Sequence, residues 1–429
     1  MQNIKLLENK FNNYLKNNKN LITNKKIAIG ISGGPDSLSL AILLNIYKKK
    51  YSLNLLSFTV DHQLRPESKE EAKHVKTLMK KLSIEHKTLL WEKPHHKNNI
   101  LELARIARYN IINQACNKYK VNLLMLGHHQ NDQIETFIIR LEAKSGLDGL
   151  ACMKDKTKII TNYGTLNILR PLLKFKKQEL IDICKSKNVR WINDPTNFDL
   201  NYKRTIARKI IANSDLYKDF NSSIRAYNKL KQNMDKILHN NIKKNILFHH
   251  IGMCEIEEDY FKKLPSLFKE KILNSLIKII GGKIYPRKNS TLKKLIQNIL
   301  SENKKNFTGG GVYFIRKKKT IILIRQYEPS IKNICLNSKN SVWDRRFLIK
   351  NHSNNKNITA GPLTEKDYLT MIKSKKIQKP NIPFAAVKTL LTIRVLDEIV
   401  SIPHLLYWKD NYWKKNISLT HVENDVVNN

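Results

Sequence analysis

The stretch that most constrains this chain is Ser32-Gly33-Gly34-Pro35-Asp36-Ser37, set between two apolar runs. Before it, "KIAIGI" (26–31) reads as a buried strand; after it, "DSLSLAILLNIYKKK" (36–50) has helical spacing with Asp36 near its start. A strand that enters such a turn and leaves as a helix is built to hold phosphate. Glycine lets main-chain N–H groups come close to an anion, and a helix N-terminus adds unpaired N–H groups and a positive dipole. Ser32 and Ser37 supply hydroxyl donors, and Asp36 is placed to orient a metal or a hydrated pyrophosphate. The loop is not a Walker-type P-loop, since G-x-x-x-x-G-K-[ST] is absent. Nor is it the dinucleotide fingerprint, because Ser32 stands where the second glycine belongs.

The pattern continues. Strand-like runs at 53–60, 85–91 and 121–127 alternate with helical ones at 67–82 and 100–119, and another helix opens near Asp132. Nearly all-apolar strands in such alternation predict an α/β fold with a Rossmann-like parallel sheet covered on both faces. The alternation fades after about residue 215. A long basic helix is expected at 219–247, more helix at 259–303, a hairpin at 307–325, a polar linker at 328–341 and a small α+β unit beyond. These shifts divide the chain into 1–215, a catalytic domain; 216–330, a mostly helical middle domain; and 331–429, a small C-terminal domain.

Length, 429 residues, agrees with two or three domains. The formal net charge of +42 is excessive for a protein that handles only small metabolites. Lysine-rich composition accounts for part of it; a polyanionic partner is the stronger reason, since each Lys or Arg on a phosphate releases counterions. No apolar stretch approaches the roughly 20 residues that span a bilayer, and residues 1–20 carry no signal-like apolar core. Five cysteines, never in Cys-x-x-Cys, suit reduced thiols in a cytoplasm and exclude a zinc knuckle.

Three further segments carry chemistry. In "VDHQLRPESKEEA" (60–72), Asp61 and His62 emerge at a strand's carboxyl end, where open parallel sheets hold ligands. In "LGHHQNDQIET" (126–136), His128, His129, Asp132 and Glu135 crowd the same edge, suited to Mg-ATP or to proton transfer. In "WINDPTNFDLNYKRTIAR" (191–208), Asp194–Asn197 is turn chemistry, and Arg204 and Arg208 share a helix face able to clamp phosphates of RNA or ATP.

Ser-Gly-Gly-x-Asp-Ser after a first strand resembles the pyrophosphatase-loop ATP enzymes, which cleave ATP between its α and β phosphates and adenylate an oxygen. Taken with "LRPLL" (169–173), the three segments resemble the tRNA(Ile)-lysidine synthase family in order and spacing, and "GGVYFIR", "WDRRF" and "IVSIPHLLYW" resemble its two C-terminal units. Three departures stand out. Asn131 replaces the first Asp of the family's pair, Thr205 replaces an Asn, and Ala143-Lys144 replace Arg-Gly.

The resemblance implies a ligase that joins free lysine to C2 of the wobble cytidine of tRNA(Ile) with a CAU anticodon, turning ATP into AMP and pyrophosphate. It implies ATP on Ser32, Gly33, Gly34, Pro35, Asp36 and Ser37, Mg²⁺ on Asp36 and Asp132, and tRNA on Arg204 and Arg208. Asp36, Asp61, His62 and Asp132 are the catalytic candidates, with no order among them. The basic C-terminal two fifths would grip the tRNA body. Tyr313, Trp343 and Trp408 are able to stack on bases, although packing suits each better. A monomer and a homodimer both fit. The alternatives are a tRNA thiolase, disfavoured by the cysteine pattern, and a non-catalytic RNA-binding protein, disfavoured by the intact loop.

Overall fold

The structure is a computed structural model that describes residues 2–63, 67–92, 100–192, 203–212, 217–282, 289–301, 305–329, 331–353, 355 and 357–422. The chain divides into two compact units, residues 1–161 with 165–233, and residues 162–164 with 234–429.

The first unit begins with helices α1 (Gln2–Asn17) and α2 (Lys19–Ile22). Then strand and helix alternate: β1 (Lys26–Gly30), α3 (Pro35–Ile46), β2 (Asn54–Asp61), α4 (Ser68–Lys81), β3 (Glu85–Leu90), α5 (Ile100–Lys118) and β4 (Leu123–Leu126). Next come α6 (Gln130–Glu142), α7 (Leu147–Leu150), β5 (Lys156–Thr161), β6 (Gly164–Leu169), α8 (Lys177–Ser186), α9 (Lys203–Ala212) and α10 (Tyr217–Asn245).

The six strands form one sheet in the order β3-β2-β1-β4-β6-β5, with β3, β2, β1, β4 and β6 paired in parallel. The expected α/β class therefore holds. Apolar side chains on both faces explain the helices on both sides. Leu38, Leu40 and Leu43 of α3, Val75 and Met79 of α4 and Ile183 of α8 bury one face. Ile112, Ala115 and Cys116 of α5 bury the other against Ala28, Leu56 and Leu124. Because β1 has β2 on one side and β4 on the other, the strand order reverses there. The carboxyl edge of the sheet at such a reversal is the usual ligand site of parallel sheets.

The second unit adds β7 (Ile246–His249), β8 (Met253–Glu257), α11 (Glu258–Lys263), α12 (Ser266–Gly281), α13 (Asn289–Leu300), β9 (Asn306–Gly309), β10 (Val312–Lys317) and β11 (Thr320–Arg325). The antiparallel order is β7-β8-β11-β10-β9, with α12 and α13 packed through Ile277, Ile280 and Leu295 onto Phe314 and Leu323. The expected hairpin is thus part of a five-stranded sheet. Two further sheets follow, one of five strands and one of three, and they begin with β12 (Ile334–Cys335), β13 (Asn340–Trp343), β14 (Phe347–Asn351) and β15 (Ile358–Pro362). The rest is α14 (Glu365–Lys373), α15 (Phe384–Val387), β16 (Leu391–Val395), β17 (Glu398–Ile402), β18 (Tyr407–Trp408), α16 (Asn411–Asn416) and β19 (Ile417–His421). The expected linker 328–341 is drawn into these sheets through β12 and β13. One apolar cluster joins Ile251, Met253, Ile322 and Ile324 to Leu363, Leu390 and Ile402, so both sides of residue 330 share a core.

Candidate active site

The loop after β1 is braced from within. The Ser32 N–H donates to Ser37 Oγ (3.1 Å), and the Ser37 hydroxyl donates to the Gly34 carbonyl (3.0 Å). Gly33 has φ +87°, a conformation that favours glycine, and its carbonyl accepts the Ile192 N–H (2.9 Å). Gly34 is the N-cap of α3, Pro35 opens the helix and Asp36 sits in its first turn. Among the described residues no side chain caps this helix. Its end therefore presents main-chain donors and positive dipole to whatever binds at the carboxyl edge.

Gly127, after β4, lets the second loop approach. A Cβ there would lie 2.7 Å from the Asp36 carbonyl oxygen and 3.0 Å from Ser37 Cα. His129 then caps α6. Its Nδ1 accepts the Asn131 N–H (3.2 Å), while its own N–H donates to Asp132 Oδ2 (3.0 Å). With Nδ1 accepting, the neutral ring carries its proton on Nε2. That atom faces Asp36 Oδ1 at 3.5 Å and Asp132 Oδ2 at 3.6 Å. Lys177, the first residue of α8, donates to both Asp36 oxygens at 2.7 Å.

Asp36 is pulled two ways: burial raises its pKa, but His129 and Lys177 outweigh burial and hold it below the usual carboxylate value. Burial lowers the His129 pKa, while Asp36 and Asp132 drive it up, with a net rise. Lys177, Asp36, His129 and Asp132 thus form a chain of polar contacts beside the loop.

A second cluster gathers cations. Arg108 of α5 donates through Nε and Nη2 to His62 Nε2, both at 3.2 Å. Burial, then the Arg108 charge, pushes the His62 pKa down to about 4 against the opposing pull of Asp61. The Asp61 carboxylate accepts the Gln63 N–H (2.9 Å) and so serves its own turn. His128 is also pushed down to about 4, by burial first and then by Arg170, Arg204 and Arg105, with Asp132 opposing. His62 Nδ1 and His128 Nδ1 are buried and have no hydrogen-bond partner among the described residues.

Of the expected phosphate clamp, Arg204 is exposed on α9, whereas Arg208 Nε donates to buried Glu135 Oε1 (2.9 Å). Glu135 Oε2 is buried and has no hydrogen-bond partner among the described residues, and burial raises the Glu135 pKa despite Arg208. Arg65 and the turn Asp194–Asn197 lie outside the described residues.

Sequence reasoning overlooked Lys177, Arg108 and Arg170 as site residues. Lys177 follows "LRPLL" by four residues and opens a helix, a signal that only the fold connects to Asp36 141 residues earlier. Two of the three departures find physical accounts. Asn131 Oδ1 accepts the Lys177 N–H and the Tyr217 hydroxyl, both at 3.2 Å; this task needs an acceptor oxygen, which amide and carboxylate share. Lys144 takes φ +49°, the left-handed conformation that a glycine there would take freely.

A resident metal does not fit. Among the described residues no group of three or more His, Cys, Asp or Glu is arranged to hold one. Mg²⁺ brought by a nucleotide does fit, since it needs only one or two carboxylates beside phosphates and water, and Asp36 and Asp132 flank one imidazole nitrogen.

Residues 5–214 match the PP-loop domain family. Over 421 residues the chain is 28% identical to "tRNA(Ile)-lysidine synthase" of Rickettsia felis, covering 94% of this chain and 95% of that one. The same name belongs to relatives from Rickettsia prowazekii (28%, covering 94% and 95%) and Orientia tsutsugamushi (28%, covering 92% and 92%). Among solved structures it is similar to the U34-tRNA thiolase NcsA of Methanococcus maripaludis, with TM-score 0.45, 22% identity and coverage of 53% of this chain and 78% of that one. By its loop and by these sequence matches, residues 5–214 are similar to the PP-loop domain, and over more than nine-tenths of its length the chain is similar to the tRNA(Ile)-lysidine synthases.

Proposed function

We propose that this protein is an ATP-consuming RNA ligase that attaches lysine to C2 of the wobble cytidine of a tRNA(Ile) with a CAU anticodon. The observation that carries the reading is the open N-terminus of α3, facing the Asp36–His129–Asp132 chain at the sheet's carboxyl edge, in a chain similar end to end to proteins of that name.

In the first half, cytidine O2 bonds to the α phosphorus and the bond to the bridging oxygen breaks, releasing pyrophosphate. Main-chain N–H groups at the start of α3 receive the charge of the leaving group, and Lys177 is within a side-chain swing of it. Mg²⁺ carried by the nucleotide would screen phosphate charge from Asp36 and Asp132. In the second half, the lysine ε-nitrogen bonds to C2, and the C2–O2 bond breaks as AMP leaves.

That amine must first lose a proton, which at pH 7 costs about 4.6 kcal/mol from a pKa near 10.4. His62 is a poor acceptor, since its pKa lies near 4 and its Nε2 already faces Arg108. We assign ammonium binding and proton acceptance to Asp132 and Glu135, whose oxygen Oε2 is buried beside the site. Arg105, Arg108, Arg170 and Arg204 supply the cationic side of the site for RNA phosphate and the lysine carboxylate. The wobble base leaves its single-stranded loop to reach this site, and the basic second unit grips the tRNA body.

A thiolase is the weaker reading. Cys184 is the cysteine against the loop, with Sγ donating to the Pro35 carbonyl (3.4 Å), and burial pushes its thiol up to about 12. Such a thiol is a poor nucleophile.

The test is incubation with tRNA(Ile) transcript, ATP and labelled lysine. Label retained in RNA at a single nucleotide, with one AMP per lysine, is expected. ATP cleavage that proceeds equally without lysine, or sulfur transfer in its place, overturns the assignment.

A further inference from the structure

We propose that a cavity in the second unit receives one unstacked nucleobase of the RNA substrate. This rests on the reading that the substrate is RNA. The cavity, of about 350 Å³, lies where β9, β10 and the end of β11 meet α15. Tyr327 and Phe384 wall it, and each leaves nearly half of its surface exposed, 48% and 46%. Tyr313, Thr308 and Gln326 complete the lining. Exposed ring faces beside a hydroxyl and a primary amide suit a flat ligand with hydrogen-bonding edges.

The cation in the wall does not make this an anion site. Arg325 is spent on Asp344 (3.0 and 3.1 Å), Glu328 (3.3 Å) and the Gly311 carbonyl (3.1 Å). Lys388 lies 5.7 Å above the Phe384 ring and pairs with Glu365 at 2.8 Å. What remains on offer is stacking surface and amide chemistry. The unit around it carries 36 Lys and Arg against 16 Asp and Glu in residues 234–429, so a polyanion is the partner its charge selects. A polyanion with flat, hydrogen-bonding side groups is a nucleic acid. Pro383 is the N-cap of α15 directly before Phe384, so the backbone that carries this ring is preset before any base stacks on it.

The test measures binding of a tRNA(Ile) transcript to the full chain over a range of salt. The Tyr327→Leu/Phe384→Leu double variant is expected to bind about 10- to 100-fold more weakly, the loss of stacking on one base. The slope of log K against log salt is expected to stay as in the wild type, because no phosphate contact is lost. KM for ATP and the urea midpoint are expected to stay unchanged. Tyr327→Phe/Phe384→Tyr keeps both rings and is expected to retain wild-type affinity. A folded Leu double variant with affinity within twofold of wild type overturns the proposal, as would be seen if the cavity took a free apolar metabolite or a peptide. If the wild-type protein itself fails to bind the transcript, the RNA reading fails along with it.

Discussion

Two glycines separate anion binding from stability. Gly34 has φ −75° and ψ 161°, ordinary extended geometry, and an added Cβ would meet only Ser32 Oγ, at 3.7 Å. For Gly34→Ala, the entropy gain of about 0.4–1 kcal/mol in the unfolded chain is offset by about 0.5–1 kcal/mol for a poorer N-cap. Unfolding should therefore stay within about 0.5 kcal/mol of wild type. The new methyl would stand where a phosphate must approach the α3 N–H groups. Losing one charge-assisted hydrogen bond of about 1.5–3 kcal/mol raises KM for ATP about 10- to 100-fold. Gly127→Ala behaves in reverse order. Its Cβ would meet Asp36 backbone atoms at 2.7 and 2.8 Å, so the loops must part by about 0.5 Å at a cost of about 1–3 kcal/mol. Thermal unfolding of the first unit should drop several degrees, with activity falling as His129 moves off Asp36. Gly146→Ala is the control, because nothing lies within 4 Å of its Cβ. The assay pairs calorimetry with lysine-dependent AMP release. If Gly34→Ala keeps wild-type KM for ATP, or loses it only in step with its melting temperature, the phosphate-loop reasoning is wrong.

Asp36→Asn is expected to keep tRNA binding and to stop lysine-dependent AMP release; wild-type turnover in that variant refutes its role. Lys144→Gly should stabilise the first unit by about 1 kcal/mol, since a lysine there holds φ +49°, and calorimetry should show a rise of about 2–4 °C. Burial, then the Arg346 charge, depresses His404 to about 3 and His421 to about 4. The unfolded chain then binds protons that the folded one refuses, so stability is complete above pH 6.5 and falls as pH drops toward 4. At pH 5 each histidine removes about 2 kcal/mol. Urea unfolding at pH 7.5 and 5.0 should show His421→Gln losing about 2 kcal/mol less on acidification than wild type, and an equal loss in both contradicts this.

The loop and the sheet were legible because their signals are local. Ser32–Ser37 follows a strand and precedes a helix within one short window, and apolar runs alternate with helical spacing through residue 127. The second unit was harder to read. "ILFHHIGMCEIE" (246–257) forms β7 and β8, yet its short strands lie between a 29-residue helix and more helix, so its period is easily missed. The site was legible in residue type and not in partnership. Arg108 on His62, Arg208 on Glu135 and Lys177 on Asp36 join residues 46, 73 and 141 positions apart, and only strand order brings them together.

The charge arrangement explains why those distant partners matter. Asp36 is a carboxylate in the first turn of the helix whose end is meant for phosphate. Alone it would repel the ligand, since like charges a few ångströms apart in a partly buried site oppose each other strongly. Lys177 neutralises it, and hydrogen bonds from Lys177 and His129 keep it ionised. In the proposed reaction arriving phosphates would offer Lys177 a second anion, and Asp36 would then hold a nucleotide-borne divalent cation. The same side chain, a counterion to Asp36 in the structure, would become a phosphate ligand under that proposal. This exchange needs a flexible ammonium on a helix start, and Asn131 holds the backbone of that start through the Lys177 N–H. Replacing the family's aspartate by Asn131 therefore removes one negative charge from the phosphate path while keeping the acceptor that fixes Lys177.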